Sequence, residues 1–254
     1  MKVSPSTSPD LLVLCGGQGT RLRSVLIDRP KPLAMIGSRP FMDFVLDPFV
    51  RQGITRAVLC TGYLGHQFEA WYAEHPCEIE LVFARETTPL GTAGAIRHAS
   101  MWIRGDFFIA ANGDSLCEID LPSLLAAHAE RQACATLALI HADHRSDVGF
   151  VAMDARQRIT RFSGKIPAQR AGYYNAGIYV FNRSAIASIP ASQPYSLEAD
   201  WLPTLLPLGV YGFVSQAPLY DIGTPERLSE FQSIVGSADS LREGCASNRS
   251  ASCG

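Results

Sequence analysis

Leu11-Leu12-Val13-Leu14-Cys15-Gly16-Gly17-Gln18-Gly19-Thr20-Arg21-Leu22 is the stretch that decides the fold. An unbroken apolar run ends at a glycine pair. A strand buried on both faces reads this way, because neither face calls for a polar residue. Such a strand belongs to a parallel sheet covered by helices. In those sheets ligands bind beyond the carboxyl ends of the strands, so the residues after each apolar run come first.

Downstream, strand and helix signals alternate. Helical spacing over Phe41–Gln52 contains Pro48, which predicts a kink or a division. Ala57–Thr61 reads as a second buried strand, His66–Glu74 as an amphipathic helix stopped by Pro76, and Ile79–Ala84 as a third strand. Ala93–Ile103 follows as a helix and Phe107–Ala111 as a fourth strand. This alternation predicts an α/β fold with a parallel sheet. After a helix at Leu121–Gln132 the pattern changes. Ala135–Ile140, Gly149–Met153, Arg158–Phe162, Tyr174–Phe181 and Val210–Val214 read mostly as strands, several separated only by turns, which predicts antiparallel additions. Residues 11–235 are expected to form one domain, preceded by a flexible 1–10 and followed by a disordered, Ser-, Gly- and Ala-rich tail, 236–254.

Bulk properties narrow the function. The chain has 254 residues, 47% of them hydrophobic, and a formal net charge of −2. That supports a substantial core and argues against nucleic acid as a partner, since such a partner needs a basic face. Met1–Asp10 lacks the apolar core of a signal peptide, and no apolar run reaches membrane-span length. The seven cysteines show no CxxC and no ligand spacing with histidine. Cys15, Cys60 and Cys134 lie in apolar runs and read as buried thiols, which places the expectation in a reducing cytoplasm.

Four segments carry candidate chemistry. In Gly16-Gly17-Gln18-Gly19-Thr20-Arg21 the backbone N–H groups can cradle phosphate oxygens, and Arg21 adds a positive fork; the plainer reading is a tight turn. The spacing is neither a P-loop nor GxGxxG. Pro30-Lys31-Pro32 fixes the chain around a lysine aimed at the same site, or is an exposed loop. Glu86 to Ala95 offers small residues, Gly91, Ala93 and Gly94, against which a flat ring can pack. There Thr92 also reads as the N-cap of the next helix, and Glu86 as either a ring contact or a solvated acid. Asn112-Gly113-Asp114 puts a carboxylate at a strand end, suited to Mg²⁺ on phosphates, or is an ordinary turn. Asp221 precedes Thr224 and Pro225, which look like a helix start, and is a candidate second metal ligand. His141 and His144 read as surface or core residues.

Together these segments resemble the sugar nucleotidyltransferase (NDP-sugar pyrophosphorylase) family. The likeness covers about residues 11–235 and rests on GGQGTRL at Gly16, PKP at Pro30, PLGTAGA at Pro89, NGD at Asn112, NAGIYVF at Asn175 and DIGTP at Asp221. Within the family it looks most similar to the short bacterial D-glycero-α-D-manno-heptose 1-phosphate guanylyltransferases, and also to mannose-1-phosphate guanylyltransferases. The resemblance implies a three-layer, Rossmann-like fold with a mixed, mainly parallel sheet. It implies GTP and a sugar 1-phosphate as substrates, Mg²⁺ as cofactor and a homodimer as one arrangement. Arg21, Lys31 and Asp114 would be catalytic. Cys15, Gly16, Gly17, Gly19, Thr20, Glu86, Pro89, Gly91 and Thr92 would bind nucleotide. Asn112, Gly149, Lys165, Asn175 and Glu198 would bind the sugar phosphate, and Asp114 and Asp221 the metal. One departure stands out: many relatives carry Glu before the lysine at 165, and here the residue is Gly164. Sugar recognition then falls to residues such as Tyr173, Tyr174, Asn175 or Glu198, although Ser196-Leu197-Glu198 also reads as a capped helix.

Two rivals share the sheet. A silent NDP-sugar sensor would lack Arg21, Lys31 or Asp114, and all are present. A glycosyltransferase would need a DxD motif, which Asp143 and Asp147 do not form.

Overall fold

A computed structural model describes residues 8–22, 25–141, 150–163, 172–191 and 194–250. The deciding stretch forms β1 (Leu11–Leu14), which hydrogen-bonds in parallel to two neighbours. Two short strands, β2 (Met35–Ile36) and β3 (Arg39–Pro40), precede helix α1 (Phe41–Arg51). Then come β4 (Arg56–Thr61), α2 (His66–Glu74), β5 (Glu80–Arg85), α3 (Gly91–Ala99), β6 (Phe107–Asn112), β7 (Ser115–Cys117) and α4 (Leu121–Glu130). The second half supplies β8 (Ala135–His141), β9 (Phe150–Met153), β10 (Ile159–Ser163), β11 (Tyr173–Asn182), the short α5 (Leu202–Leu205), β12 (Val210–Ser215), β13 (Leu219–Asp221) and α6 (Pro225–Ser250).

The main sheet runs β10-β9-β11-β6-β1-β4-β5, with β8 joined to β11 and β12 to β8. β6, β1, β4 and β5 are parallel. β11 joins β6 antiparallel, and β8, β9 and β10 continue antiparallel. β12 departs from the expected pattern by lying parallel to β8. The sheet is therefore mixed around a parallel centre, as the fold class required.

Side chains alternate between two cores along each strand. Leu11 and Val13 pack with Phe41, Phe68, Leu124 and Phe231 from α1, α2, α4 and α6. Leu12 packs with Ala93, Ile96, Trp201 and Leu205 on the opposite face. Two apolar faces between two helical layers explain why the strand sequence has no polar alternation.

Four expectations are corrected or narrowed. Of the two outcomes expected at Pro48, division does not occur: α1 is continuous through it. Residues 236–250 continue α6 as helix. Asp10 belongs to the fold: 4% exposed, it accepts the Arg56 guanidinium at 2.8 Å and the Arg104 N–H at 2.6 Å. Cys134 is only half-buried, whereas Cys15 and Cys60 are buried. Among the described residues no helix is long and apolar enough to cross a membrane.

Candidate active site

The carboxyl ends of β1, β4, β5 and β6 open onto one crevice of about 650 Å³. Cys15, Gly16, Gly17, Gly19, Thr20, Arg21, Lys31, Glu86, Pro89, Gly91, Thr92, Asn112 and Asp114 all line it. The turn after β1 leads into a short helical turn, Thr20–Leu22, that buries Leu22 and leaves Arg21 exposed. The residues after β4, Gly62 and Tyr63, line the crevice as well and were missed. Their signal was positional: they follow a buried strand, just as Gly16 does.

The phosphate end is built from charge. Pro30 and Pro32 flank Lys31, whose Nζ donates to Asp114 Oδ2 at 2.6 Å. Asp221 lies alongside, because β13 pairs with β7 in a register that sets Asp221 opposite Ser115, next to Asp114. The Ile222 N–H donates to the Asp114 carbonyl at 3.1 Å, closing that neighbourhood. Arg227 on α6 donates to both Asp221 oxygens at 2.9 and 3.2 Å. Thr224 Oγ1 accepts the Arg227 N–H at 3.4 Å, as its predicted capping role required. A methyl group at Gly223 would stand 2.8 Å from Asp221 Oδ1 and 3.9 Å from an Arg21 guanidinium nitrogen, so Arg21 converges on the same spot.

These carboxylates suit Mg²⁺ in chemistry and placement. Both offer hard oxygen donors, Asp114 from the turn between β6 and β7 that lines the crevice and Asp221 from the end of β13 opposite Ser115. Among the described residues no third His, Cys, Asp or Glu completes a cage.

At the other end Glu86 leans over the floor. Its Oε1 lies 2.6 Å from where a Cβ on Gly62 would be and 3.1 Å from one on Gly16. The Leu90 N–H donates to its Oε2 at 3.3 Å. Burial raises its pKa, against the lowering effects of that N–H and of His98. The same burial, with Glu86 nearby, holds Cys15 well above the usual thiol range and pushes Cys60 up to about 12, so neither is a ready nucleophile. Thr92 is not the expected N-cap. α3 begins at Gly91, two residues before the expected Ala93, so Thr92 lies inside it, and the Thr92 hydroxyl accepts the Leu197 N–H at 2.7 Å.

Beyond Asn112 lies a polar trio. Asn175 Nδ2 donates to Tyr179 Oη at 2.6 Å and to Glu198 Oε1 at 2.7 Å, and Tyr179 Oη donates to Glu198 Oε1 at 3.0 Å. Burial drives the Tyr179 hydroxyl well above its usual range, and Glu198 and Asp114 add to the effect. A Cβ on Gly177 would meet Asn112 Nδ2 at 2.8 Å, which places the trio against the strand end that carries Asp114. Ser196 does cap its helical turn, accepting the Ala199 N–H at 3.2 Å. The capped-helix reading of the Ser196–Glu198 segment therefore holds. Gly149, Lys165, Gly164, Asp143, His144 and Asp147 lie outside the described residues.

A crevice with an anion cradle, two cations and two neighbouring carboxylates at the strand ends defines a nucleotide-handling protein of the phosphoryl-transfer class. The chain belongs to the nucleotidyl transferase family, whose model matches residues 11–236. It is 34% identical over 92% of its length to a mannose-1-phosphate guanylyltransferase of Mycobacterium tuberculosis, and spans 65% of that protein. It is 33% identical over 85% of its length to a D-glycero-α-D-manno-heptose 1-phosphate guanylyltransferase of Aneurinibacillus thermoaerophilus, covering 94% of that relative. The crystal structure of HddC from Yersinia pseudotuberculosis complexed with GMP-PN matches with a TM-score of 0.78 at 30% identity, over 88% of this chain and 97% of that one.

Proposed function

We propose that this chain transfers GMP from GTP to a sugar 1-phosphate and releases pyrophosphate. The observation that carries the reading is the pairing of ends in one crevice: Lys31, Arg21 and the Gly-rich loop at one end, the half-buried Glu86 carboxylate at the other. Relatives named for guanylyl transfer support the choice of base.

The chemistry follows from charge. A sugar-phosphate oxygen, already ionised near neutral pH, attacks the α-phosphorus of GTP. The new P–O bond forms as the bond to pyrophosphate breaks, and no general base is required. The difficulty lies in bringing two polyanions into line. Backbone N–H groups, Lys31 and Arg21 meet that difficulty by positioning and by stabilising charge on the leaving pyrophosphate. Asp114 and Asp221 would hold Mg²⁺, which neutralises phosphate charge when bound. Asn175 and Glu198, held in place by the buried Tyr179 hydroxyl, would read sugar hydroxyls, and Lys165 would hold the sugar phosphate. The free thiols Cys15, Cys60, Cys77, Cys117 and Cys134 accord with a cytoplasmic setting.

For the sugar we favour D-glycero-α-D-manno-heptose 1-phosphate, as in the Aneurinibacillus relative. The mycobacterial relative makes mannose 1-phosphate the second reading. A pyrophosphate-release screen of GTP, ATP, UTP and dTTP against hexose and heptose 1-phosphates tests this. Release is expected with GTP and the heptose phosphate, and EDTA should abolish it. Preference for mannose 1-phosphate would select the second reading. Absence of release from every pair would leave a silent sensor.

A further inference from the structure

Thr92 faces two subsites. It lines the nucleotide crevice, yet its hydroxyl accepts the N–H of Leu197, which opens the helical turn carrying Glu198. The surrounding backbone reinforces that bond. The Tyr195 carbonyl accepts the N–H groups of Ala93 at 2.9 Å and Gly94 at 3.3 Å, and the Tyr195 N–H donates to the Leu90 carbonyl at 2.8 Å. The contact is so close that a Cβ on Gly91, where φ is +73°, would stand 2.6 Å from the Tyr195 carbonyl oxygen.

Leu90 in turn donates to Glu86. A continuous set of bonds thus links the base-side carboxylate to the segment bearing Glu198. At the first position of a helical turn an N–H has no partner within the turn. Here the Ser196 hydroxyl takes Ala199 instead of Leu197, so the Leu197 N–H is left to Thr92. On its far side Glu198 is gripped through Oε1 by Asn175 and Tyr179.

We infer that Thr92 is a positioning residue for the sugar phosphate: its hydroxyl fixes Leu197 and thereby aims Glu198 at a sugar hydroxyl. This rests on the functional reading above. It moves Thr92 from the nucleotide side, where the family likeness put it, to the sugar side.

Steady-state kinetics of the full chain test it, using GTP and whichever of the heptose or mannose 1-phosphates the wild type turns over. Thr92→Val keeps the shape and removes the acceptor. Loss of one such bond to a buried N–H should raise the KM for the sugar phosphate about tenfold, with the KM for GTP changed less than about twofold. Thr92→Ser should restore the wild-type value. In a Glu198→Gln background, Thr92→Val should add little, because both act through one carboxylate. Should the valine variant fail to fold, Thr92→Ala carries the same comparison. A rise in the KM for GTP, an unchanged KM for the sugar phosphate, or full additivity with Glu198→Gln would overturn the inference. A wild type without turnover would instead overturn the functional reading beneath it.

Discussion

Glu86 owes its place to two absent methyl groups. Alanine at 62 would put a Cβ 2.6 Å from Oε1, and alanine at 16 would put one at 3.1 Å. Held there, an ionised carboxylate is acceptor-only and matches guanine, which presents N1–H and N2–H₂ side by side. Adenine would face it with a lone pair, and uracil with one N–H between two carbonyls. Mismatched buried groups cost about 1–3 kcal/mol each. Glu86→Gln is therefore expected to reduce the preference for GTP over UTP roughly tenfold, read as a ratio of kcat/KM values. Because burial raises the Glu86 pKa, the wild-type preference should also weaken on acidification, before an ordinary glutamate would be protonated, while Glu86→Gln stays flat. An unchanged ratio would leave base reading to backbone groups. At this scale much was legible. Arg21, Glu86 and Asp114 come in the segments that follow strand ends, where a sheet of this class binds ligands, and Lys31 was marked by the two prolines that flank it. Gly62 and Tyr63 were passed over because nothing charged marks them. Asp221 was legible as a candidate partner for Asp114, but not what brings the two together, since that depends on a strand pairing between distant segments.

α4 packs on the sheet through a neutral histidine. His128, 5% exposed, has Nδ1 2.9 Å from Thr136 Oγ1 on β8 and Nε2 3.2 Å from Asn182 Oδ1 on β11. Asn182 donates its own amide to the Ala133 carbonyl, so its oxygen faces the ring, which makes Nε2 the donor and Nδ1 the acceptor of the Thr136 hydroxyl. Burial lowers the His128 pKa, although the Asn182 contact opposes it. Folding therefore favours the neutral ring. Its contribution is fully present above the unfolded value of about 6.5 and falls as pH drops from there toward the lowered folded value. Thermal unfolding should show a steeper loss of Tm between about pH 7 and about pH 5.5 in the wild type than in His128→Gln. Equal slopes would show that the ring is not buried neutral. The elements themselves were readable wherever local pattern dominates: apolar runs became β1, β4, β5 and β6, with ends shifted by a residue. Local pattern failed where a distant partner intervened. Thr92 looks like a cap because Thr before a helical run usually is one, yet its partner Leu197 lies 105 residues away. The parallel placement of β12 beside β8 was equally invisible, because nothing in Val210–Ser215 records its neighbour.

Across the whole molecule, the proposed function divides the work between the two halves of the sheet. The parallel strands carry the Gly-rich loop and Glu86, while β11 and the segment after it carry Asn175 and Glu198, braced by the buried Tyr179. β6 stands between them, paired with β1 on one side and β11 on the other, and its end carries Asn112 next to Asp114. Reaction at one phosphorus between two substrates calls for such a seam, since each polyanion must be held before the two can meet in line. On the proposed function, an oxygen of the sugar phosphate attacks the α-phosphorus of GTP. Sugar 1-phosphate bearing heavy oxygen on its phosphate measures this directly, with the products weighed by mass spectrometry. The expected result is a GDP-sugar that retains all of the label, together with unlabelled pyrophosphate. Label in the pyrophosphate, or nucleotide hydrolysis without any GDP-sugar, would contradict the account.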